Sequence, residues 1–307
     1  MKRFVEGLAL LALLVLPAHQ WASAGYIYWT DVTYPGARVL RARTDGSGVE
    51  ELVTTGLSFP NGIALDMTAG KMYWTDNGIN RIQRADLDGW NVEDVVVTGD
   101  FPNGLALDVA GGKVYWTDAV TRMISRANLD GSGLVNLVTS GLSDPRAIAL
   151  DLAAGKMYWN DSGTGTIQRA NLNGASRETL VTGLSSSTRG IALDLMTGKI
   201  YWTDSPSIRR ASLDGSNVED VIQTGLSGPQ KIALDLFDGK MYWGESGTNA
   251  IRRANLDGSD IETLIAGISR PRGLALDVGP EPAIPEPASL ILFALGGLGL
   301  WRRGRKR

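Results

Sequence analysis

The tetrapeptide Tyr28-Trp29-Thr30-Asp31 returns as Tyr73-Trp74-Thr75-Asp76, Tyr115-Trp116-Thr117-Asp118, Tyr158-Trp159-Asn160-Asp161, Tyr201-Trp202-Thr203-Asp204 and Tyr242-Trp243-Gly244-Glu245. Successive tyrosines stand 45, 42, 43, 43 and 41 residues apart, so one unit governs the chain. A period of this length, filled with short alternating apolar segments and Gly-containing turns, matches a four-stranded propeller blade and is too long for a leucine-rich or ankyrin repeat. Within one unit the pattern predicts strands over 63–66, 72–75, 81–87 and 93–98, joined by Ala69-Gly70-Lys71, by 76–80 and by Asp88-Gly89-Trp90, all rich in turn formers.

Two further signatures travel with the tetrapeptide. An Ala-Leu-Asp segment ends at Asp66, Asp108, Asp151, Asp194, Asp235 and Asp277, and an Arg-Ala-x-x-Asp/Asn-Gly segment follows, as at 84–89. The first tetrapeptide has no Ala-Leu-Asp before it, and the last Ala-Leu-Asp has no tetrapeptide after it. Pairing 271–278 with 26–56 would complete a sixth blade from both ends of the chain and abolish an open sheet edge. The expected fold is therefore all-β, a six-bladed β-propeller over 25–278. Its other blades lie near 60–99, 102–141, 145–183, 188–225 and 229–267.

Working outward, residues 1–24 read as a signal peptide: Lys2 and Arg3, an apolar run over 8–16, and an A-x-A cleavage site at Ala22 and Ala24. The single histidine, His19, falls inside it, and the chain has no cysteine. The mature chain then excludes a Ser-His-Asp triad, a thiol nucleophile, a Cys/His zinc site and a haem held by His or Cys. No metal and no cofactor is expected, and only carboxylate, lysine, tyrosine or hydroxyl chemistry or an oxygen-ligated ion such as Ca²⁺ stays open. Over 25–301 the chain keeps 23 of its 30 Lys and Arg against 32 of its 33 Asp and Glu, a net charge of −9. That balance argues against nucleic acid and anionic membrane surfaces as partners.

Six in-phase copies of the tetrapeptide resemble the YWTD propeller of the low-density-lipoprotein-receptor class B repeat family over 26–278. The resemblance implies six-bladed propellers that act as protein-binding modules. The cysteine-rich growth-factor-like module that usually follows such propellers in receptors is missing, so lipoprotein binding is not carried over. Trp29, Trp74, Trp116, Trp159, Trp202 and Trp243 are expected as structural packing between blades. The repeated Asp and Arg are expected to cap turns and cross-link blades.

A unique site has to break the sixfold pattern. The 1-to-2 and 3-to-4 turns share one end of an antiparallel blade, and the 1-to-2 turns hardly vary between copies. At the other end the 2-to-3 loops differ, as in Val32-Thr33-Tyr34-Pro35-Gly36 against Ala119-Val120-Thr121, and so do the 4-to-1 connections. Loops on a rigid scaffold are the usual seat of binding, so the variable end is the candidate face. There Asn61, Asn103, Arg146, Arg189, Gln230 and Arg272 are expected to ring the channel, with Phe59 and Phe101 as an apolar or stacking rim and Tyr34 of the 2-to-3 loop as a further ligand-binding candidate. Three arginines in an acidic body point to an anionic or hydrogen-bonding ligand. Pairing of each Arg with a tetrapeptide Asp is the alternative.

Beyond 278 a Pro-rich linker spans 279–287, then an uncharged apolar run over 288–301, then Arg302-Arg303-Gly304-Arg305-Lys306-Arg307. As a short hydrophobic helix the run would span about 21 Å, less than the roughly 30 Å hydrocarbon core. Pro285, Glu286 and Pro287, the apolar run and the basic end resemble the PEP-CTERM sorting signal of exported bacterial proteins. This implies an exosortase-type processing enzyme as partner and transient membrane anchoring through 288–307. The function expected is an exported cell-surface or extracellular-matrix binding or structural module for a protein or polysaccharide ligand. The alternative is a propeller enzyme of lactonase-like or lyase-like type acting on a sugar derivative.

Overall fold

A computed structural model describes residues 25–32 and 36–278. The signal peptide with Ala22 and Ala24, Tyr34, the Pro-rich linker, Pro285-Glu286-Pro287 and the hydrophobic helix expected over 288–307 lie outside the described residues.

The described residues form six four-stranded antiparallel sheets. Five blades are consecutive, with inner strands Pro60–Asp66, Pro102–Asp108, Pro145–Asp151, Thr188–Asp194 and Pro229–Asp235 for blades 1 to 5. Blade 6 takes its inner strand, Pro271–Asp277, from the far end of the propeller and pairs it with Tyr26–Asp31, in the register Tyr26↔Asp277, Tyr28↔Ala275 and Trp29↔Leu274. The ring thus closes by joining the two ends of the chain. The inner strands pack in the order of blades 1 to 6 and back to blade 1, so blade 5 stands across the channel from blade 2.

Strand alternation explains how one tetrapeptide builds every interface. Residues two apart share a face of the sheet. Tyr28 therefore faces blade 1, where it joins Ile63, Met72, Trp74 and Ala85, while Trp29 faces blade 5 and joins Tyr242, Ile251 and Ile265. The same exchange of a Trp against the preceding blade's Tyr recurs at the other interfaces, as for Trp202 with Tyr158. All six Trp are at most 2% exposed. Each buries on the order of 200 Å², about 5 kcal/mol as an upper bound, and this stability is divided among six interfaces with no central core.

The polar repeat residues tie down what the apolar ones bring together. Asp76 accepts from the backbone N–H of Ser58 and Phe59 at 2.8 Å, and Asp161 from Ser143 and Asp144, so the tetrapeptide Asp caps the 4-to-1 connection. Asp66 and Asp151 cap the 1-to-2 turns through Ala69 N–H and Ala154 N–H. The repeated Arg crosses to the next blade: Arg84 donates to Leu129 O at 3.0 Å and Arg169 to Leu213 O at 3.1 Å, each also donating to its own blade's Tyr hydroxyl.

Strand bounds fall within a few residues of those read from sequence, with one systematic extension. The inner strands begin three residues earlier, at Pro60 in blade 1. A register shift between Pro60 and Ile63 lets pairing resume with Asp76, and the Thr75 hydroxyl takes up the Gly62 N–H inside the shift.

Candidate functional site

The extension matters because it carries the ring. Asn61, Asn103, Arg146, Arg189, Gln230 and Arg272 are each the second residue of an inner strand, at the end where the second strand finishes and the third begins. Each belongs to a different blade. The three amides are buried and the three arginines half-buried.

Their carbonyls are held by the preceding blade's tetrapeptide. Thr75 accepts from Gly62 N–H at 2.9 Å and donates to Asn103 O at 2.8 Å. Thr30 does the same between Gly273 N–H and Asn61 O, Thr117 between Gly104 N–H and Arg146 O, and Thr203 between Gly190 N–H and Gln230 O. The inner strands approach so closely that a Cβ at Gly62 would stand 2.5 Å from Asn103 O, and one at Gly273 1.9 Å from Asn61 O.

Two blades depart from this Gly–Thr pairing, and they do so at both positions together. Blade 3 has Ala147 with Asn160, whose longer amide reaches Ala147 N–H at 2.7 Å. Blade 5 has Lys231 with Gly244, which offers no side-chain oxygen. Lys231 crosses the channel from blade 5 to blade 2, its Nζ 3.3 Å from Asn103 Oδ1. Beneath it Ile63, Leu105, Ile148, Ile191, Ile232 and Leu274, one per blade, line the channel cavity. Reading the sequence for variable loops missed Lys231, because it stands inside a strand. Its signal was the position after the ring residue, which reads Gly, Gly, Ala, Gly, Lys, Gly around the propeller.

The mouth is strongly cationic on four adjoining blades. Arg189 and Arg272 are pushed below the usual guanidinium range first by burial and then by neighbouring arginines, Arg146 among them in both cases. Burial also drives Lys231 well below the ordinary lysine range, helped by Arg146, Arg189 and Arg272 and opposed by Asp144. Asp144 is engaged already, accepting from Arg146 and from the Ser162 hydroxyl.

Among the described residues, Arg146 and Arg272 are shown with partners other than a tetrapeptide Asp. Arg146 goes to Asp144, and Arg272 donates to Gln230 Oε1 at 3.3 Å while its guanidinium lies 5.4 Å from the Phe59 ring centre. Phe59 is thereby a seat for Arg272 rather than an open rim. Arg189 has no hydrogen bond or ion pair among the described residues. Asn103 Nδ2 and Arg272 Nε are buried without a partner. Phe101, half-buried at the mouth, holds φ +64, a region costly for a bulky side chain, whereas blade 5 places Gly228 at the same position with φ +67.

Fold and site together define a closed propeller of six YWTD blades with a polar, cationic channel mouth. The chain belongs to the low-density lipoprotein receptor repeat class B family, which matches it over 25–67, 70–109, 112–152, 155–195 and 239–278. The stretch 196–238, which carries Lys231, lies between matched repeats. A PEP-CTERM protein-sorting motif occupies 280–306. Mouse nidogen-2 is 45% identical over 64 residues, which are 20% of this chain and 4% of that protein. Human low-density lipoprotein receptor-related protein 5 is 41% identical over 70 residues, 23% of this chain and again 4% of the relative. The chain thus spans a small fraction of the curated relatives it matches. A crystal structure of a nidogen/laminin complex superposes with a TM-score of 0.75 at 21% identity, covering 83% of this chain and 98% of the matched one. TolB from Acinetobacter baumannii superposes with a TM-score of 0.68 at 15% identity, covering 83% and 67%. At these identities the superpositions bear on the fold alone. The sorting motif supports export and a location in the cell envelope or outside the cell.

Proposed function

We propose that this protein is an exported binding module that holds a protein or polysaccharide ligand at the ring end of its propeller. The observation that carries the reading is the gathering of Arg146, Arg189, Arg272 and Lys231 around one channel mouth, with Asp144 as the carboxylate among them. In a body of net charge −9 so many cations in one place are a local device, and arginine suits bidentate contact with carboxylates. A matched propeller comes from a nidogen/laminin complex, which gives a precedent for this fold in protein association.

The rival enzyme reading would set a metal ion or carboxylates in the channel. Asn61, Asn103 and Gln230 are oxygen donors, but the three arginines beside them oppose a bound metal ion. A binding role fits that electrostatics better.

Gly25 and Val278 leave the propeller beside the Tyr26↔Asp277 pair, at the end opposite the ring. A tail that sorts or anchors the protein emerges there, away from the ligand face. Exosortase processing near Pro285-Glu286-Pro287, following a membrane-anchored stage through 288–307, completes the proposal.

The test is capture from producing cells with the full chain and with the triple variant R146A/R189A/R272A, separating protein from polysaccharide partners. Loss of each charged hydrogen bond should cost about 1.5–3 kcal/mol. Equal capture by a folded triple variant overturns the reading.

A further inference from the structure

We infer that the channel mouth is an acidic-saccharide site in which Lys231, Arg146, Arg189 and Arg272 take the sugar's carboxylate, Asn61 and Asn103 its hydroxyls, and Phe101 a C–H face of its ring. The inference rests on the binding reading above and names the ligand class. Three features of the mouth each ask for a different part of such a ligand.

The first is charge without sufficient counter-charge. Arg189 has no hydrogen bond or ion pair among the described residues, Arg272 keeps a buried Nε without a partner, and Lys231 has Asn103 Oδ1 as its hydrogen-bond acceptor. The charged groups that face Lys231 are Arg146, Arg189 and Arg272 against Asp144. Cations brought this close repel one another, and an inserted carboxylate relieves that cost. Asp144 supplies one negative group and is already shared by Arg146 and Ser162.

The second is a pair of amides on the side away from the arginines. Asn61 and Asn103 stand on blades 1 and 2, and Asn103 is 2% exposed with its Nδ2 unpartnered. A neutral amide offers both a donor and an acceptor, which suits hydroxyl groups.

The third is Phe101, held at φ +64 where an unstrained chain would place glycine. Backbone strain kept for a bulky residue at a binding mouth points to the side chain's use there. Phe101 stands two residues before Asn103 in the chain, and an aromatic side chain near hydrogen-bonding amides would suit a pyranose ring, which is apolar on its C–H faces and polar at its edge. An acidic peptide would account for the cations and could pair the amides with its backbone, but a polyglutamate chain offers Phe101 no flat apolar face.

Lys231 is the position that departs from the repeat, and it gives the proposal a distinct signature. A carboxylate placed against an amine whose pKa is depressed draws a proton onto it. Saccharide binding should therefore take up protons and weaken as pH rises from the depressed value of the amine toward the ordinary lysine range.

The experiment is titration calorimetry of the full chain in detergent with trigalacturonic acid, its methyl ester, and triglutamate. Each titration is run across pH 6 to 9 in two buffers of different ionisation enthalpy. The proposal expects the free acid to bind, the ester to bind about tenfold or more weakly, and triglutamate to bind more weakly than the sugar. It also expects proton uptake that Lys231→Met abolishes with about a tenfold loss of affinity. Phe101→Gly should weaken the sugar while leaving the fold intact, since glycine accepts the same φ. Equal binding of acid and ester, stronger binding of triglutamate, or a Lys231→Met variant with unchanged affinity and proton uptake overturns it. If these sugars fail while the cell capture above succeeds through the arginines, the saccharide assignment falls and the binding reading stands. Failure of both removes both.

Discussion

Replacing Thr75 by Val tests whether the tetrapeptide threonine is the stitch between blades. The substitution keeps the branched shape and removes a hydroxyl that is fully buried, accepting from Gly62 N–H at 2.9 Å and donating to Asn103 O at 2.8 Å. Two backbone groups at a blade interface lose their partner, where the inner strands pack too closely for another residue to reach them. Leaving a buried polar group unsatisfied costs about 1–3 kcal/mol, so Thr75→Val, which strands two, should cost about 2–6 kcal/mol. A control is built into the same blade: Thr98 also buries its hydroxyl, with no partner, so Thr98→Val should be neutral or slightly stabilising. Urea unfolding followed by Trp fluorescence measures both, with the midpoint shift converted through the common slope. If Thr75→Val cost under about 0.5 kcal/mol, or no more than Thr98→Val, the stitch would carry no weight, since even ordinary surface changes stay within that range.

Deleting 272–278 should damage the protein far beyond its seven residues, because it removes the inner strand that pairs with Tyr26–Asp31; thermal melting like that of the intact chain would contradict ring closure. Deleting 284–307 should leave the melting temperature unchanged and release soluble protein, and a misfolded product would show that the propeller depends on its tail. Lys231→Met should flatten a pH slope in stability. The native amine has a depressed pKa, so the unfolded chain binds more protons and wild-type stability rises with pH between the depressed and ordinary values. A wild-type curve that falls over that interval, or a variant with the same slope, refutes the assignment of the slope to Lys231.

The fold was legible because the unit repeats in phase. One misread strand would have been corrected by five others, and the two incomplete ends complemented each other at Asp277 and Tyr26. The ring residues were legible for a related reason: strand parity assigns the start of every inner strand to the variable end, whatever side chain stands there. The packing role of the six Trp followed from their recurrence, and the structure adds only which neighbour each one faces.

Lys231 was missed because it stands inside a strand rather than in a variable loop, and the separation of the arginines from the tetrapeptide Asp was not legible because it shows only when columns are read together. The tetrapeptide carboxylate is engaged by backbone N–H groups of the 4-to-1 connection, as Asp76 is by Ser58 and Phe59, and the arginine it meets is one from the third strand, as Arg38 with Asp31, Arg209 with Asp204 and Arg252 with Glu245. No single column reports that. The columns at 62 and 75 are likewise one feature, because the Thr75 oxygen sits on the Gly62 N–H thirteen residues away, at a place where a Cβ on Gly62 would strike Asn103 O. Where the first column gains a side chain the second must change, and it does so twice, to Asn160 opposite Ala147 and to Gly244 opposite Lys231. A repeat that departs in two columns joined by a hydrogen bond has been rebuilt there rather than left to drift, and in blade 5 the rebuilding sends an amine across the channel to Asn103, in the same mouth as the ring arginines.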